Sequence, residues 1–242
     1  MRPHDEPMSE LSGKTVLVTG ATAGIGRETA LGLAKLGAKV IVVGRSASKA
    51  QQVTEELRAL SGNQQIEFFL ADLCLMAEVR KLAAEFESRF GTLQVLVNNV
   101  GMMHLRREVT AEGLELTFAL NHLGPFLLTK LLLPALERGA PSRIVNVSSG
   151  AHRRASLDFG DLQAQKSYFA YSVYGRSKLM NILFTRELAR RVADKKITVN
   201  ALHPGLVASN FMKKPGVIGV LGHAFMSVFG ISSEEGARTS LF

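Results

Sequence analysis

A phenol and an ammonium lie four positions apart at Tyr174 and Lys178, a spacing that places both on one face of a helix. A free tyrosine has a pKa of about 10, and a nearby ammonium is expected to lower it by favouring the phenolate. The pair could then exchange a proton with a carbonyl or carbinol oxygen. Neither Tyr168 nor Tyr171 has a lysine four residues on, so only Tyr174 fits this role.

Two serines, Ser148 and Ser149, follow an apolar stretch that is predicted to be a strand. A hydroxyl at this point could orient a substrate oxygen. The alternative is that both serines only form the turn that leads into Gly150. No nucleophile elbow surrounds them, which argues against covalent serine catalysis.

The first element that must position these groups is the turn Thr19–Gly26, which joins an apolar strand to a helical pattern. Bare backbone N–H groups and a helix N-terminus meet at this turn and attract a diphosphate. Its spacing is TGxxxGxG rather than GxGxxG, and the alternative is an ordinary strand-to-helix turn. The predicted cofactor contacts in the turn are Gly20, Thr22, Gly24, Ile25 and Gly26.

The second predicted strand ends on a cation, at the position where a dinucleotide fold that binds a ribose 2′-OH carries an acid. That residue is Arg45, followed by Ser46 and Lys49, and Arg27 adds charge nearby. A cation and hydroxyls suit a 2′-phosphate, so the sequence favours NADP(H) over NAD(H). The alternative is a surface arginine at a strand end.

Three further strand ends carry residues predicted to line the cofactor site. Asp72 could meet the adenine edge of the cofactor, and the alternative is that it caps a helix. Asn98 and Asn99 could flank the cofactor, although we expect them mainly to tie the sheet end together. A rigid turn after His203 could shape the nicotinamide pocket. The predicted contacts at these ends are Asp72, Leu73, Asn99, Gly101, Pro204 and Gly205.

A long helix is predicted near Ala111–Glu137, and Pro125 lies inside it. Because proline has no N–H, the carbonyl of Asn121 loses its intrahelical partner and the helix should kink. The freed carbonyl could hold a water that relays protons between Tyr174, Lys178 and solvent. A purely structural kink is the equal alternative.

Short apolar strands alternate with helical stretches along the chain, which predicts an α/β fold with a doubly wound, Rossmann-type parallel sheet of six strands. The predicted strands are Thr15–Thr19, Val40–Gly44, Ile66–Leu70, Val95–Asn98, Arg143–Ser148 and Thr198–Leu202. The other predicted helices are Gly24–Leu36, Ser48–Leu60, Ala77–Phe90 and Phe169–Ala193. Without repeats or a low-complexity linker, we expect one domain over residues 1–242, with a polar tail at 1–12.

The composition is that of an ordinary globular protein, with 46% hydrophobic and 21% charged residues. A single cysteine excludes an internal disulfide framework and favours a reducing compartment, so we expect a soluble, cytoplasmic protein. The most apolar windows, Leu127–Leu136 and Val217–Phe229, are too short to span a bilayer. The net charge of +8 is scattered in pairs with few aromatics, so we expect no nucleic-acid binding. The scattered histidines predict no metal site.

Several motifs together resemble the short-chain dehydrogenase/reductase superfamily from about Lys14 onward. They are Thr19–Gly26, Asn98–Gly101, Asn121, Ser149, Tyr174 with Lys178, and Pro204-Gly205. Residues 145–152 and 179–205 most resemble its retinol-dehydrogenase-like branch. The resemblance implies a homodimer and hydride transfer at C4 of nicotinamide. The roles that it implies are general acid/base for Tyr174, pKa-lowering partner and ribose ligand for Lys178, orienter of the substrate oxygen for Ser149, and water holder for Asn121.

The chain departs from the family pattern at three points. Val100 stands where the family usually has alanine, and Pro125 stands where it usually continues the helix. The chain also stops at Phe242, inside a helix that the family follows with a seventh strand, so we expect a fragment or a sheet without that edge strand. Residues 206–230 fall where the family has a substrate lid, and their apolar part suggests a cover over a hydrophobic substrate. The alternative for that apolar part is a core helix.

These features predict an NADP(H)-dependent alcohol dehydrogenase or carbonyl reductase that acts on a small hydrophobic alcohol or carbonyl compound. A rival interpretation is a catalytically weak, cofactor-binding sensor or scaffold with the same fold. The presence of Ser149, Tyr174 and Lys178 argues against this rival.

Overall fold

Six parallel strands form the central sheet of the protein in a computed structural model that describes residues 10–205 and 232–241. The strands are β1 (Thr15–Thr19), β2 (Lys39–Gly44), β3 (Ile66–Leu70), β4 (Val95–Asn98), β5 (Ser142–Val147) and β6 (Ile197–Leu202). Their order is β3-β2-β1-β4-β5-β6, so the direction of winding reverses between β1 and β4. Ligands of such sheets bind at the carboxyl ends of the strands beside this reversal. The predicted fold class is confirmed.

Helices cover both faces of the sheet. They are α1 (Gly24–Lys35), α2 (Ala47–Ser61), α3 (Met76–Arg89), α4 (Leu116–Arg138), α5 (Ala170–Arg191) and α6 (Ser233–Leu241). Alternate residues of β1 point to opposite faces, with Leu17 in the core beside α3 and α4 and Val16 and Val18 in the core beside α1 and α2. All three side chains are fully buried, which explains why the three central positions of the strand are all apolar.

Helix α4 starts five residues later than the sequence predicted. Thr110 and Gly113 form a tight turn, in which Gly113 N donates to Thr110 O over 2.9 Å and Gly113 has a φ of +79°. The helix then begins because the Glu115 carboxylate accepts hydrogen bonds from the backbone N–H groups of Thr117 and Phe118, at 2.8 and 2.7 Å. Helical periodicity alone could not locate a start that depends on this cap.

Among the residues that the structure describes, α4 is the one helix with the length and composition to cross a membrane, at 23 residues and a mean hydropathy of 1.3. It is longer than the apolar windows seen in the sequence because the helix continues beyond them. Leu128, Leu132 and Leu136 are fully buried against the sheet. These core contacts account for part of the apolar character of α4.

Candidate active site

The carboxyl ends of β1, β4 and β5 bring the predicted site residues to one edge of the sheet. Ser149 follows β5 and accepts a hydrogen bond from Ala151 N over 3.3 Å at the start of a short 3₁₀ turn. Helix α5 passes close to this turn at Gly175, where a Cβ would lie 3.0 Å from the carbonyl oxygen of Ala151. This close approach brings Tyr174, the neighbour of Gly175, to Ser149, whose hydroxyl is near enough to the phenol to lower its pKa.

Lys178 is buried one turn along α5 from Tyr174. Its side chain is 2% exposed, and Nζ donates to the carbonyl oxygen of Val147 over 3.0 Å. Nζ also lies 5.6 Å from the centre of the Tyr174 ring. Room for the ammonium depends on Gly101, where a Cβ would lie 2.8 Å from Nζ. Burial lowers the pKa of Lys178 to about 8, from an ordinary value of 10.5.

The pKa of Tyr174 shifts opposite to our expectation. Burial raises it, and the hydrogen bond from Ser149 only partly opposes that shift. The ammonium of Lys178 lies over the ring, where Nζ donates to the carbonyl oxygen of Val147, and its charge does not reverse the direction of the shift. Tyr174 is therefore protonated at neutral pH in this state and suited to donate a proton.

The expectation for the Asn121 carbonyl also needs correction. α4 widens into a π-helical turn at Ala119–Leu123, which ends two residues before Pro125. The carbonyl oxygen of Asn121 accepts a hydrogen bond from the side chain of Asn181, at 2.9 Å. The proline does deprive this carbonyl of its usual helical donor, but a side chain from α5 supplies a donor in its place.

The side chain of Asn121 is fully buried and bonded on both of its polar atoms. Its Oδ1 accepts from Met102 N over 2.9 Å, and its Nδ2 donates to Met102 O over 2.9 Å and to Ser177 Oγ over 3.0 Å. Asn121 thus ties the segment after β4 to the helix that carries Tyr174. This position fits a site residue, and its role remains a prediction.

A second set of buried amides fixes the sheet end, as expected for Asn98. Its Nδ2 donates to Asn146 Oδ1 over 2.8 Å and to Thr129 Oγ1 over 2.9 Å, which links β4 to β5 and α4. Asn146 Nδ2 in turn donates to Thr185 Oγ1 on α5 over 2.9 Å. The sequence does not mark Asn146 or Asn181 as site residues, because a single asparagine inside an apolar stretch carries no spacing signal.

The glycine turn after β1 fits the diphosphate of a dinucleotide. Helix α1 begins after Ala23 with no side-chain cap and no acid in its first turn, which leaves N–H groups for an anionic ligand. A Cβ on Gly26 would lie 2.4 Å from Asn99 Nδ2 and 2.5 Å from Gly20 O, so the turn packs too tightly for any larger residue. Asn99 Nδ2 also donates to Thr19 O over 2.9 Å. Thr22 lies against β2, and Ile25 is partly buried in the first turn of α1.

Of the two arginines predicted near the 2′-phosphate, only Arg45 is placed as the sequence suggested. Arg27 forms ion pairs with Glu28 and Glu56, at 2.6 and 3.2 Å, so its charge is already compensated. Arg45 is exposed at the end of β2, and Ser46 follows it at the start of α2. Arg45 is therefore the better candidate to meet a phosphate.

Arg45 also lies near the turn that follows β3. Burial and a hydrogen bond with Asp72 raise the pKa of the Cys74 thiol to about 12, while the charge of Arg45 acts in the opposite direction. Asp72 Oδ1 accepts from Cys74 N over 3.2 Å, and Leu73 is buried in the core. Asp72 forms this turn and does not cap α3, whose first N–H groups bond the carboxylate of Glu112 at 2.6 and 2.9 Å.

The remaining predictions concern the end of β6 and beyond. Gly205 N donates to the ring of His203 over 3.1 Å across buried Pro204, which forms the expected tight turn. The predicted substrate lid at residues 206–230 lies outside the described residues. Within the described ranges, no three His, Cys, Asp or Glu side chains come together as metal ligands do. The absence of a metal site stays a prediction.

The chain is similar to known dehydrogenases over almost all of its length. A family model described as short chain dehydrogenase matches residues 14–216. The chain is 42% identical to retinol dehydrogenase 12 of Mus musculus and 44% identical to retinol dehydrogenase 11 of Homo sapiens. Each of these matches covers 96% of this chain and 73% of the relative.

A solved structure agrees with these matches. It is a short chain dehydrogenase from Burkholderia cenocepacia J2315 in complex with NADP, with a TM-score of 0.76 and 28% sequence identity. The similarity covers 96% of this chain and 90% of that one. The resemblance drawn from the motifs is confirmed: the chain belongs to the short-chain dehydrogenase/reductase superfamily of oxidoreductases, in its retinol-dehydrogenase-like branch.

Proposed function

We propose that this protein is an NADP(H)-dependent oxidoreductase that interconverts hydrophobic alcohols and carbonyl compounds. The observation that carries the proposal is the convergence of three groups: the ammonium of Lys178 lies 5.6 Å from the centre of the Tyr174 ring, and the hydroxyl of Ser149 is near enough to the phenol to act on its pKa. These groups lie at the same strand-end edge as the glycine turn, whose helix N-terminus suits a diphosphate.

In the reducing direction, the phenol of Tyr174 gives its proton to the carbonyl oxygen of the substrate. The nicotinamide, when bound, supplies the hydride that adds to the carbonyl carbon. The hydroxyl of Ser149 holds the substrate oxygen next to the phenol, and the positive charge of Lys178 stabilises the phenolate that the transfer leaves. The raised pKa of Tyr174 keeps the proton available at neutral pH.

Two observations support NADP(H) as the cofactor. Arg45 is exposed and positively charged at the strand end next to the glycine turn, where a 2′-phosphate would lie. The similar structure from Burkholderia cenocepacia was solved in complex with NADP. An acid at the position of Arg45 would instead favour the free 2′-OH of NAD(H).

A hydrophobic substrate is supported by the two segments that flank the end of the sheet. They expose large apolar side chains, among them Met102 and Leu105 after β4 and Phe159 and Phe169 before α5. A hydrogen bond of 2.9 Å from Tyr168 to the carbonyl of His104 joins the two segments. The names of the relatives, retinol dehydrogenases 11 and 12, make retinoid-like alcohols and aldehydes the first compounds to test.

The proposal is tested by following NADPH oxidation with a panel of aldehydes and ketones, all-trans-retinaldehyde included. We expect Tyr174→Phe to lose at least about a hundredfold in turnover, because it removes the general acid, while NADPH binding is kept. The matched control is Tyr171→Phe, three residues earlier on α5, which keeps the ring and should stay within about twofold of wild type. Wild-type turnover in Tyr174→Phe would contradict the proposal, and NADPH binding without turnover in the wild type would favour the sensor or scaffold.

We also propose that the protein is a cytoplasmic homodimer that pairs through α4 and α5. Leu183 is 42% exposed on α5, next to Phe184, whose ring lies 5.0 Å from that of Phe126 on α4. An exposed apolar surface shared by two helices is suited to a second copy of the chain. Cell fractionation would test the location, and recovery in the membrane pellet would contradict it.

A further inference from the structure

The carbonyl of Asn121 has an unusual hydrogen-bond donor. In a regular helix its donor would be the N–H of residue 125, which is a proline here. The donor is instead Asn181 Nδ2, 2.9 Å away and 60 residues further along the chain. Asn181 is only 5% exposed, so this bond lies inside the protein and does not compete with bulk water.

His122 fixes the orientation of the Asn181 amide. The amide nitrogen of Asn181 points at Asn121, so its Oδ1 faces His122 Nδ1 at 2.9 Å and must accept the proton. This contact requires the imidazole tautomer that is protonated on Nδ1. The ring is held by stacking on Phe118, at 5.9 Å between centroids, and by edge contact with Phe184 at 6.4 Å.

The opposite side of Asn121 leads to the candidate catalytic residues. Its Nδ2 donates to Ser177 Oγ over 3.0 Å, and Ser177 Oγ donates to the carbonyl oxygen of Tyr174 over 2.7 Å. Asn121 Oδ1 also lies beside Gly101, where a Cβ would be 3.6 Å from this oxygen and 2.8 Å from Lys178 Nζ. The two functional side chains of α5 are therefore packed around a residue of α4 whose backbone is held by Asn181.

We infer that Asn181, oriented by His122, is a positioning residue for the reaction. It holds the Asn121 carbonyl at the π-helical turn and thereby fixes the positions of the Tyr174 and Lys178 side chains. This inference rests on the proposed oxidoreductase function. The hydrogen bonds run from His122 to Asn181, from Asn181 to Asn121, from Asn121 to Ser177 and from Ser177 to Tyr174. Asn181, Asn121 and Ser177 are each at most 5% exposed. Water therefore cannot replace the hydrogen bonds of Asn181 at low cost in free energy when its side chain is removed.

The first test compares two substitutions on the same face of α5. Asn181→Leu keeps the volume and removes both hydrogen bonds to α4. Thr185→Val is the matched control: it removes a buried hydroxyl one turn away that bonds Asn146 and the backbone carbonyl of Asn181, but leaves Asn121 untouched. Both variants should lose stability to a similar extent.

Turnover should separate the two variants. We expect kcat to fall about tenfold to a hundredfold in Asn181→Leu, with the KM for NADPH within about threefold of wild type, because misplaced catalytic groups slow chemistry more than binding. Thr185→Val should keep a kcat within about twofold. Rates are normalised to the folded fraction, measured as NADPH-binding sites. Equal kcat losses in the two variants would overturn the inference and leave Asn181 a purely structural residue.

A pair of substitutions at His122 tests the orientation step. His122→Asn can keep a donor near the position of Nδ1, whereas His122→Phe keeps the stacked ring and loses the donor. We expect His122→Asn to retain at least about half of the wild-type kcat and His122→Phe to lose about fivefold or more. Equal rates in the two variants would contradict the role of the imidazole.

A measurement without turnover separates this inference from the proposed function. ¹⁵N NMR of the imidazoles, with His122→Phe to assign the signal, should find His122 protonated on Nδ1 in the wild type and no longer fixed in that tautomer in Asn181→Leu. A wild-type ring protonated on Nε2 would overturn the inference even if the enzyme is active. Failure of every carbonyl compound to oxidise NADPH would overturn the proposed function, and with it the role in the reaction.

Discussion

Replacement of Lys178 by methionine should make the protein more stable and less active at once. Methionine has a similar length and no charge, so Lys178→Met removes the buried ammonium with little change in packing. The folded protein holds that ammonium at 2% exposure, with one hydrogen bond to the Val147 carbonyl. Desolvation of this kind is tolerated at functional sites because the charge is needed there.

The size of the effect follows from the pKa of Lys178. Burial lowers it from 10.5 to about 8, and at about 1.4 kcal/mol per unit this means that folding around the charged side chain costs about 3 kcal/mol at pH 7. The variant avoids this cost but leaves the Val147 carbonyl without its donor, a loss of about 1 to 3 kcal/mol. We therefore expect the free energy of unfolding to rise by about 1 kcal/mol and Tm by about 2–4 °C.

The pH dependence gives a sharper signature. Because the folded-state pKa of Lys178 lies below the unfolded-state value, the unfolded chain binds more protons between pH 8 and 10.5. Wild-type stability therefore gains from this group as pH rises, by about 2 kcal/mol between pH 7 and 9.5. Lys178→Met lacks the gain, so its advantage at pH 7 should turn into a deficit of about 1 kcal/mol at pH 9.5.

Urea denaturation of wild type and Lys178→Met at pH 7 and 9.5 measures the difference in their free energies of unfolding. NADPH oxidation measures the accompanying loss of activity, which we expect to be at least about a hundredfold. Lys130→Met is the matched control, because Lys130 is exposed on α4 and its removal should change stability equally at both pH values. The reasoning about burial would be refuted if Lys178→Met were less stable than wild type at pH 7 by an amount that does not depend on pH.

Two further predictions concern the cofactor and the oligomer. Arg45→Asp should raise the KM for NADPH at least about tenfold and shift preference toward NADH. The control is Arg27→Gln, which should change the KM for NADPH by less than about threefold because the Arg27 guanidinium is already paired with two acids. An NADPH affinity equal to that of wild type in Arg45→Asp would exclude a contact between Arg45 and the 2′-phosphate. Leu183→Glu should convert a dimer to monomers in light scattering, while Leu60→Glu, at a more exposed leucine on α2, should not. A monomeric wild type would refute the dimer.

Much of the fold could be predicted because strand and helix periodicity is local. Every residue of Val16–Val18 is apolar, which is typical of a strand buried on both faces, and such strands alternating with helices give a parallel sheet. The start of α4 could not be predicted in this way. It depends on the Glu115 cap and on the tight turn at Gly113, and helix ends set by caps are poorly marked by periodicity.

In the candidate site, too, the features that depend on local sequence could be predicted and those that depend on tertiary contacts could not. The four-residue spacing of Tyr174 and Lys178 places both on one helix face, and Ser149 at a strand end had to reach the same edge of the sheet. The direction of the Tyr174 pKa shift could not be inferred from spacing, because it is set by burial, which outweighs the opposing effect of the Ser149 hydroxyl. The ion pair between Arg27 and Glu56 could not be predicted from the sequence, because Glu56 lies on a different helix.

The sequence by itself determined the alternation of strands and helices, the tight glycine turn and the shared helix face of the phenol and ammonium, because each depends on residues close together in the chain. Only the tertiary structure decided that Asn181 holds the Asn121 carbonyl and that the ammonium of Lys178 is enclosed beside Gly101. Those contacts join residues that are remote in sequence, and the burial that sets a pKa depends on every element packed around the group.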